Sequence, residues 1–98
     1  MDEDIDIVLR DTFRVVVRLE LLIFFTRNQY AMDTARKFAT FVKRPESFVK
    51  QELDYLTKCG LVDKMGEGDT AIYSFTNDLE LIQKVDEFCR NLSKRRVS

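Results

Sequence analysis

Residues 38–62 read FATFVKRPESFVKQELDYLTKCGLV, two short amphipathic segments that meet at a sharp break. In the first, Ala35, Phe38, Ala39 and Val42 recur three or four apart, which puts them on one face of a helix. Pro45 then interrupts. It disfavours helical geometry at Arg44 and suits the first turn of a new helix, where its missing N–H costs nothing. Phe48, Val49, Leu53, Leu56 and Cys59 form a second stripe, Gly60 stops that helix, and Leu61-Val62 opens an extended segment. Helices over 33–42 and 45–59, joined by so few residues, cannot lie antiparallel and must cross steeply, as in a helix-turn-helix. Such a pair buries its inner faces on a third helix. The second helix keeps one free face, which carries Ser47, Lys50, Gln51 and Asp54.

Upstream, residues 1–6 form an acidic leader and 7–28 the expected third helix. Its start is open between two readings: Ile5, Val8, Leu9, Thr12 and Val16 keep helical spacing from the beginning, or Asp11 or Thr12 caps a fresh helix from Phe13. Arg10, Arg14 and Arg18 recur every four residues and mark its wet face. Residues 19–25 are apolar almost all round, more than one packed face can use, which implies a second partner surface. A dimer is the simplest source. Residues 30–32 are a candidate short strand, and Asp33 or Thr34 caps the helix that follows.

Downstream, the period changes to two. Val62 and Met65 flank Asp63 and Lys64, Gly66-Glu67-Gly68-Asp69 is turn chemistry, and Ala71-Ile72-Tyr73-Ser74-Phe75 alternates. A β-hairpin over 61–76 follows the second helix directly. Asn77, with Glu80 three residues on, caps a final helix over 78–92 whose stripe is Leu81, Ile82, Val85, Phe88, Cys89 and Leu92. Residues 93–98 are a basic tail, either solvated or a phosphate-touching arm.

Phe38-Ala39, Val42, Val49 and Leu53-Asp54-Tyr55-Leu56-Thr57-Lys58-Cys59-Gly60-Leu61-Val62 together resemble the helix-turn-helix core of winged-helix transcriptional regulators of the ArsR-like and MarR-like kind. In that family an apolar-Ala pair, a further apolar residue, a Val and L-x-x-L-x-x-x-G-L-[VI] follow in this order. Leu9-Arg10-Asp11-Thr12-Phe13-Arg14 is similar to the family's L-x-D-x-x-R entry to the first helix, and the likeness extends over residues 9–76. One departure stands in the turn, where Lys43 replaces the usual Gly. A lysine takes a left-handed position only at a cost, so a wider turn is expected. The resemblance implies a mainly α (α+β) winged helix-turn-helix: a three-helix core, a β-hairpin wing and a C-terminal helix in one domain over 1–98.

The resemblance also implies a dimer that places its 45–59 helices in successive major grooves of duplex DNA. Ser47, Lys50 and Gln51 are then the base-reading candidates, since Lys suits guanine acceptors and Gln the adenine edge. Arg36, Lys37, Lys43, Arg44 and Lys58 are the phosphate-contact candidates. Leu19, Leu22, Phe25, Leu81, Val85, Phe88 and Leu92 are the dimer-interface candidates.

Composition bounds these expectations. The 98 residues hold 45% hydrophobic and 34% charged side chains, as a water-soluble domain does. No apolar run approaches the roughly 20 residues of a membrane span, and the N-terminus is acidic, so a cytoplasmic protein without membrane contact is expected. Two cysteines and no histidine leave too few ligands for zinc, so neither metal nor cofactor is expected. Cys59 and Cys89 both fall on apolar stripes and read as buried thiols, with a redox pair as the alternative. With no histidine base and no phosphate-binding Gly loop, enzymatic activity is not expected. The net charge of −1 runs against a dedicated DNA binder. Residues 33–65 soften this, with seven basic side chains against five acidic ones. Glu67 and Asp69 at the wing tip would repel phosphate. The alternative is a winged-helix module that contacts protein and not DNA.

Overall fold

One long helix, α1, runs from Asp2 to Arg27 in the computed structural model, which describes the backbone of residues 2–95 and the side chains of 3–92. The acidic leader therefore continues into the helix. No cap forms at Asp11 or Thr12; the Thr12 hydroxyl instead donates to the Val8 carbonyl at 2.8 Å. After α1 come β1 (Met32–Asp33), α2 (Ala35–Val42), α3 (Glu46–Lys58), β2 (Val62–Met65), a 3-10 turn (Gly68–Thr70), β3 (Ile72–Phe75) and α4 (Leu79–Arg95). The basic tail 93–98 joins α4 as far as Arg95, and its remainder lies outside the described residues.

Strands pair antiparallel in the order β1-β3-β2. Ala71, Tyr73 and Phe75 point into the core, as the alternation requires, and Ile72 and Ser74 point away. Thr34 caps α2 by accepting the Lys37 N–H, while Asp33 belongs to β1. Asp78 and not Asn77 caps α4, accepting the N–H groups of Glu80 and Leu81 on one carboxylate oxygen.

Helix α1 is the spine on which the other elements pack. Val17, Leu21, Leu22 and Phe25 are buried, and the Phe25 ring lies 5.2 Å from that of Phe38 and stacks on Phe75 at 5.1 Å. Phe24 covers another side of the helix, stacked on Phe41 of α2. The all-round apolar character of 19–25 thus has its second partner inside the same chain, where α2, α3 and α4 all touch α1. No dimer is needed to explain it. Leu22, Phe25 and Val85 are core residues of one subunit, which corrects their assignment to a dimer interface.

Arg14 and Arg18 are not a wet face either. Both reach across to α3, where the Glu52 side chain has no exposed surface. Arg14 Nε donates to Oε2 at 2.8 Å and Arg18 Nε to Oε1 at 2.7 Å, so each carboxylate oxygen has its own guanidinium. Arg18 also lies over the Tyr55 ring, 4.2 Å from its centre. These bonds lock α3 onto α1.

The turn between α2 and α3 is tight. Lys43 adopts the left-handed conformation (φ 58°, ψ 50°), and the Arg44 N–H closes on the Ala39 carbonyl at 3.1 Å. The wider turn expected from the missing Gly does not occur. The chain tolerates a conformation that costs a non-glycine residue about 1–3 kcal/mol, because α1 packing fixes both helices.

Removing Glu52 takes the shared acceptor from two part-buried guanidinium groups and empties a buried site. Glu52→Ala should destabilise the fold by about 2–3 kcal/mol in chemical denaturation, through the lost charge-assisted bonds to Arg14 and Arg18 and the cavity left behind. A loss under 1 kcal/mol would contradict this reading of the triad.

Candidate nucleic-acid interface

Helix α3 turns Val49, Leu53 and Leu56 inward, and this dictates what faces out. Ser47, Gln51 and Lys58 are exposed along the opposite side, and Lys50 flanks them with about a third of its side chain accessible. Nearby, Arg36 and Lys37 are exposed in the first turn of α2, and Lys43 is exposed at the corner between the helices. Among the described residues, none of Arg36, Lys37, Lys43 and Lys58 forms an ion pair. Their charge is available to an outside partner.

Arg44 differs from the other phosphate-contact candidates. Its Nε and NH2 nitrogens donate to the two Glu20 oxygens at 2.6 and 2.9 Å, and the guanidinium lies 5.7 Å from the centre of the Phe13 ring. The fork is committed to α1, so it braces the turn.

Asp54 also departs from expectation. The helical pattern puts it on the free face, yet it is half-buried and joins α3 to the wing. Its Oδ1 accepts the Tyr73 hydroxyl at 2.6 Å and the Lys64 ammonium at 3.1 Å, with the Lys50 ammonium 3.7 Å from Oδ2. Burial pushes the Asp54 carboxyl up, but the Tyr73 and Lys64 hydrogen bonds and the two ammonium charges outweigh it and hold it below the usual carboxylate range. Burial, and then the bond to Asp54, pushes the Tyr73 phenol up. Tyr73 is almost wholly enclosed, and its hydroxyl has to find a partner; Asp54 is that partner.

Other expected features separate. Glu67 and Asp69 are exposed at the wing tip. Cys59 is exposed at the end of α3, contrary to its reading as a buried thiol, whereas Cys89 is half-buried and burial pushes its thiol up. Leu19, Leu81 and Leu92 are half-buried and Phe88 is half-exposed. No helix among the described residues is long and apolar enough to cross a membrane. No group of three or more His, Cys, Asp or Glu side chains among them could hold a metal ion.

Three solved structures share this arrangement. An apo mutant form of ZitR from Lactococcus lactis superposes with a TM-score of 0.63 at 14% identity, covering 98% of this chain and 72% of that one. YusO from Bacillus subtilis gives 0.59 at 14% identity over 96% and 79% of the two chains. The ST1889 protein of Sulfolobus tokodaii gives 0.54 at 18% identity over 91% and 94%. The fold is a winged helix-turn-helix. In that frame α3 is the second helix of the motif, and β2 and β3 with their turn are the wing. No family model matches the sequence. Mouse Nesprin-2 is 28% identical over 74 residues, which are 76% of this chain and 1% of that protein, so this chain spans a very small part of its length.

The Asp54 network has a definite acid signature. A carboxyl held below its ordinary value of 3.8 adds stability that is complete above that pH and lost as pH falls below it. Asp54→Asn should therefore cost about 1 kcal/mol at neutral pH, the scale of a charge-assisted bond on a partly exposed group. The gap between the two proteins should close as the solution is acidified below 3.8. A gap that stays constant with pH would show that the charge on Asp54 does not matter.

Proposed function

We propose that this chain binds duplex DNA as a homodimer and acts as a transcriptional regulator, with α3 entering the major groove. The observation that carries the reading is the outward side of α3, where Ser47, Gln51 and Lys50 follow Lys43 of the turn, with Arg36 and Lys37 exposed on α2. Lys50 and Gln51 are chemically suited to guanine and adenine edges. Lys43, Arg36, Lys37 and Lys58 serve phosphates, which orient the helix without reading sequence. Arg44 drops out of that set because Glu20 holds it. The acidic wing tip stays off the duplex, and the wing braces α3 through Asp54.

The dimer surface in this proposal is the N-terminal half of α1. Ile5, Val8, Leu9, Val15 and Val16 are exposed there, between 37% and 61% accessible, and Phe88 of α4 is 49% accessible. An apolar helix face of this extent marks an interaction surface. Leu81 and Leu92 are the remaining candidates on α4.

A second reading, a protein-interaction module, is favoured by the net charge of −1 and by the exposed carboxylates Glu67 and Asp69 at the wing tip, and fold alone does not settle function.

One set of titrations separates the two. The wild type should bind duplex DNA at low salt and lose affinity steeply as salt rises. Lys50→Ala and Gln51→Ala should each cost about 1–3 kcal/mol on a preferred sequence, while Lys43→Ala should weaken all sequences alike and flatten the salt dependence. Sedimentation equilibrium of the same samples should give two chains per particle, and Leu9→Glu should give folded monomers that bind DNA more weakly. A folded wild-type dimer that ignores DNA at low salt would eliminate the DNA reading.

A further inference from the structure

We propose that the outer face of the wing sheet is a binding site for a small organic cation, an ammonium group carrying an aromatic or branched apolar body. This goes beyond DNA binding and does not depend on it, because the same strands serve α3 through alternate residues, Lys64 and Tyr73, on their other face.

The strand register builds the floor. Ser74 in the central strand is paired with Met32 on one side and Asp63 on the other, so a thioether, a hydroxyl and a carboxylate lie in one row across three strands. Tyr73 and Phe75 point into the core, which turns this row outward. Tyr30, from the connection before β1, and Asn77 and Leu79, from the segment after β3, wall the row in and leave a cavity of about 320 Å³. That volume lies at the lower end of small-molecule sites.

The lining specifies the occupant. Tyr30, Met32 and Leu79 are 89%, 58% and 71% accessible, three large apolar side chains left in water around one hollow. Asp63 is the one charged residue among those that line it, and among the described residues it has no ion-pair partner. A carboxylate and an open aromatic ring lining one cavity attract a cation and repel an anion. The hydroxyl of Ser74 and the amide of Asn77 supply acceptors for the remaining ammonium protons. A bare metal ion does not suit a site with a single carboxylate, whereas the apolar walls suit a hydrocarbon body.

The test is a two-dimensional amide NMR titration of the whole chain with 2-phenylethylammonium, with 2-phenylethanol and 3-phenylpropionate as the uncharged and anionic controls. The ammonium should give saturable shifts at Tyr30, Met32, Asp63, Ser74 and Leu79, with a Kd of about a millimolar for a probe this small in an open cavity. Asp63→Asn, at an exposed position, should keep the spectrum of the folded protein and weaken the ammonium roughly tenfold. Tyr30→Ala should weaken it as well. Shifts that fail to saturate, that map elsewhere, that survive Asp63→Asn unchanged, or that the alcohol and carboxylate reproduce at equal affinity would each overturn the proposal.

Discussion

A carboxylate with no exposed surface has to be neutralised where it lies, and in this chain that requirement governs how α3 is mounted. Glu52 projects from α3 into the space beside α1, and each oxygen takes one guanidinium. Apolar stripes fix which face of α3 is buried and leave directional contacts to sharpen its rotation and register. Two directed bonds to residues four apart on α1 supply those contacts, since Arg14 and Arg18 lie one helical turn apart. The set adds more to register than to net stability, because desolvating three charges offsets most of their attraction. With Glu52 turned inward, Ser47 and Gln51 have to face out.

A second tie holds the other flank. Asp54, two residues on from Glu52, receives the Tyr73 hydroxyl and the Lys64 ammonium from the wing. Thus α3 is bonded to the spine on one side and to the sheet on the other, and Arg44 bonds the turn before it to Glu20. The Asp54 carboxylate spends the charge of Lys64 and part of that of Lys50 within the protein. On α2, the turn and α3, Lys43, Arg36, Lys37 and Lys58 stay outside any ion pair among the described residues, although the whole chain is slightly acidic.

Periodicity made the elements legible. The Val49–Leu53–Leu56 stripe, the Pro45 break, the Gly60 stop and the alternation around Tyr73 each carry a local signal, and the resemblance in residues 53–62 tied them to one fold. What the sequence hid were relations between elements. Arg14 and Arg18 recur every four residues in the same way whether they meet water or a buried carboxylate. Residues 19–25 look too apolar for one face, but a spine helix has several faces covered by its own chain. Asp54 carries no mark of its partner, although an inward-facing tyrosine such as Tyr73 always asks where its hydroxyl bonds. Lys43 misled in the other direction, since the left-handed turn forms despite its strain. The exposure of Ser47 and Gln51 was legible because inward positions on α3 fix the outward ones.

The central claim is that DNA meets this protein through α3 and the cations around it, with the wing held back. Amide chemical-shift mapping of the isotopically labelled protein, as a duplex is added at low salt, tests this residue by residue. The account predicts the largest changes at Lys43, Ser47, Lys50 and Gln51, with Glu67 and Asp69 at the wing tip nearly unmoved. Changes concentrated at the wing tip or along α4, with α3 silent, would contradict it.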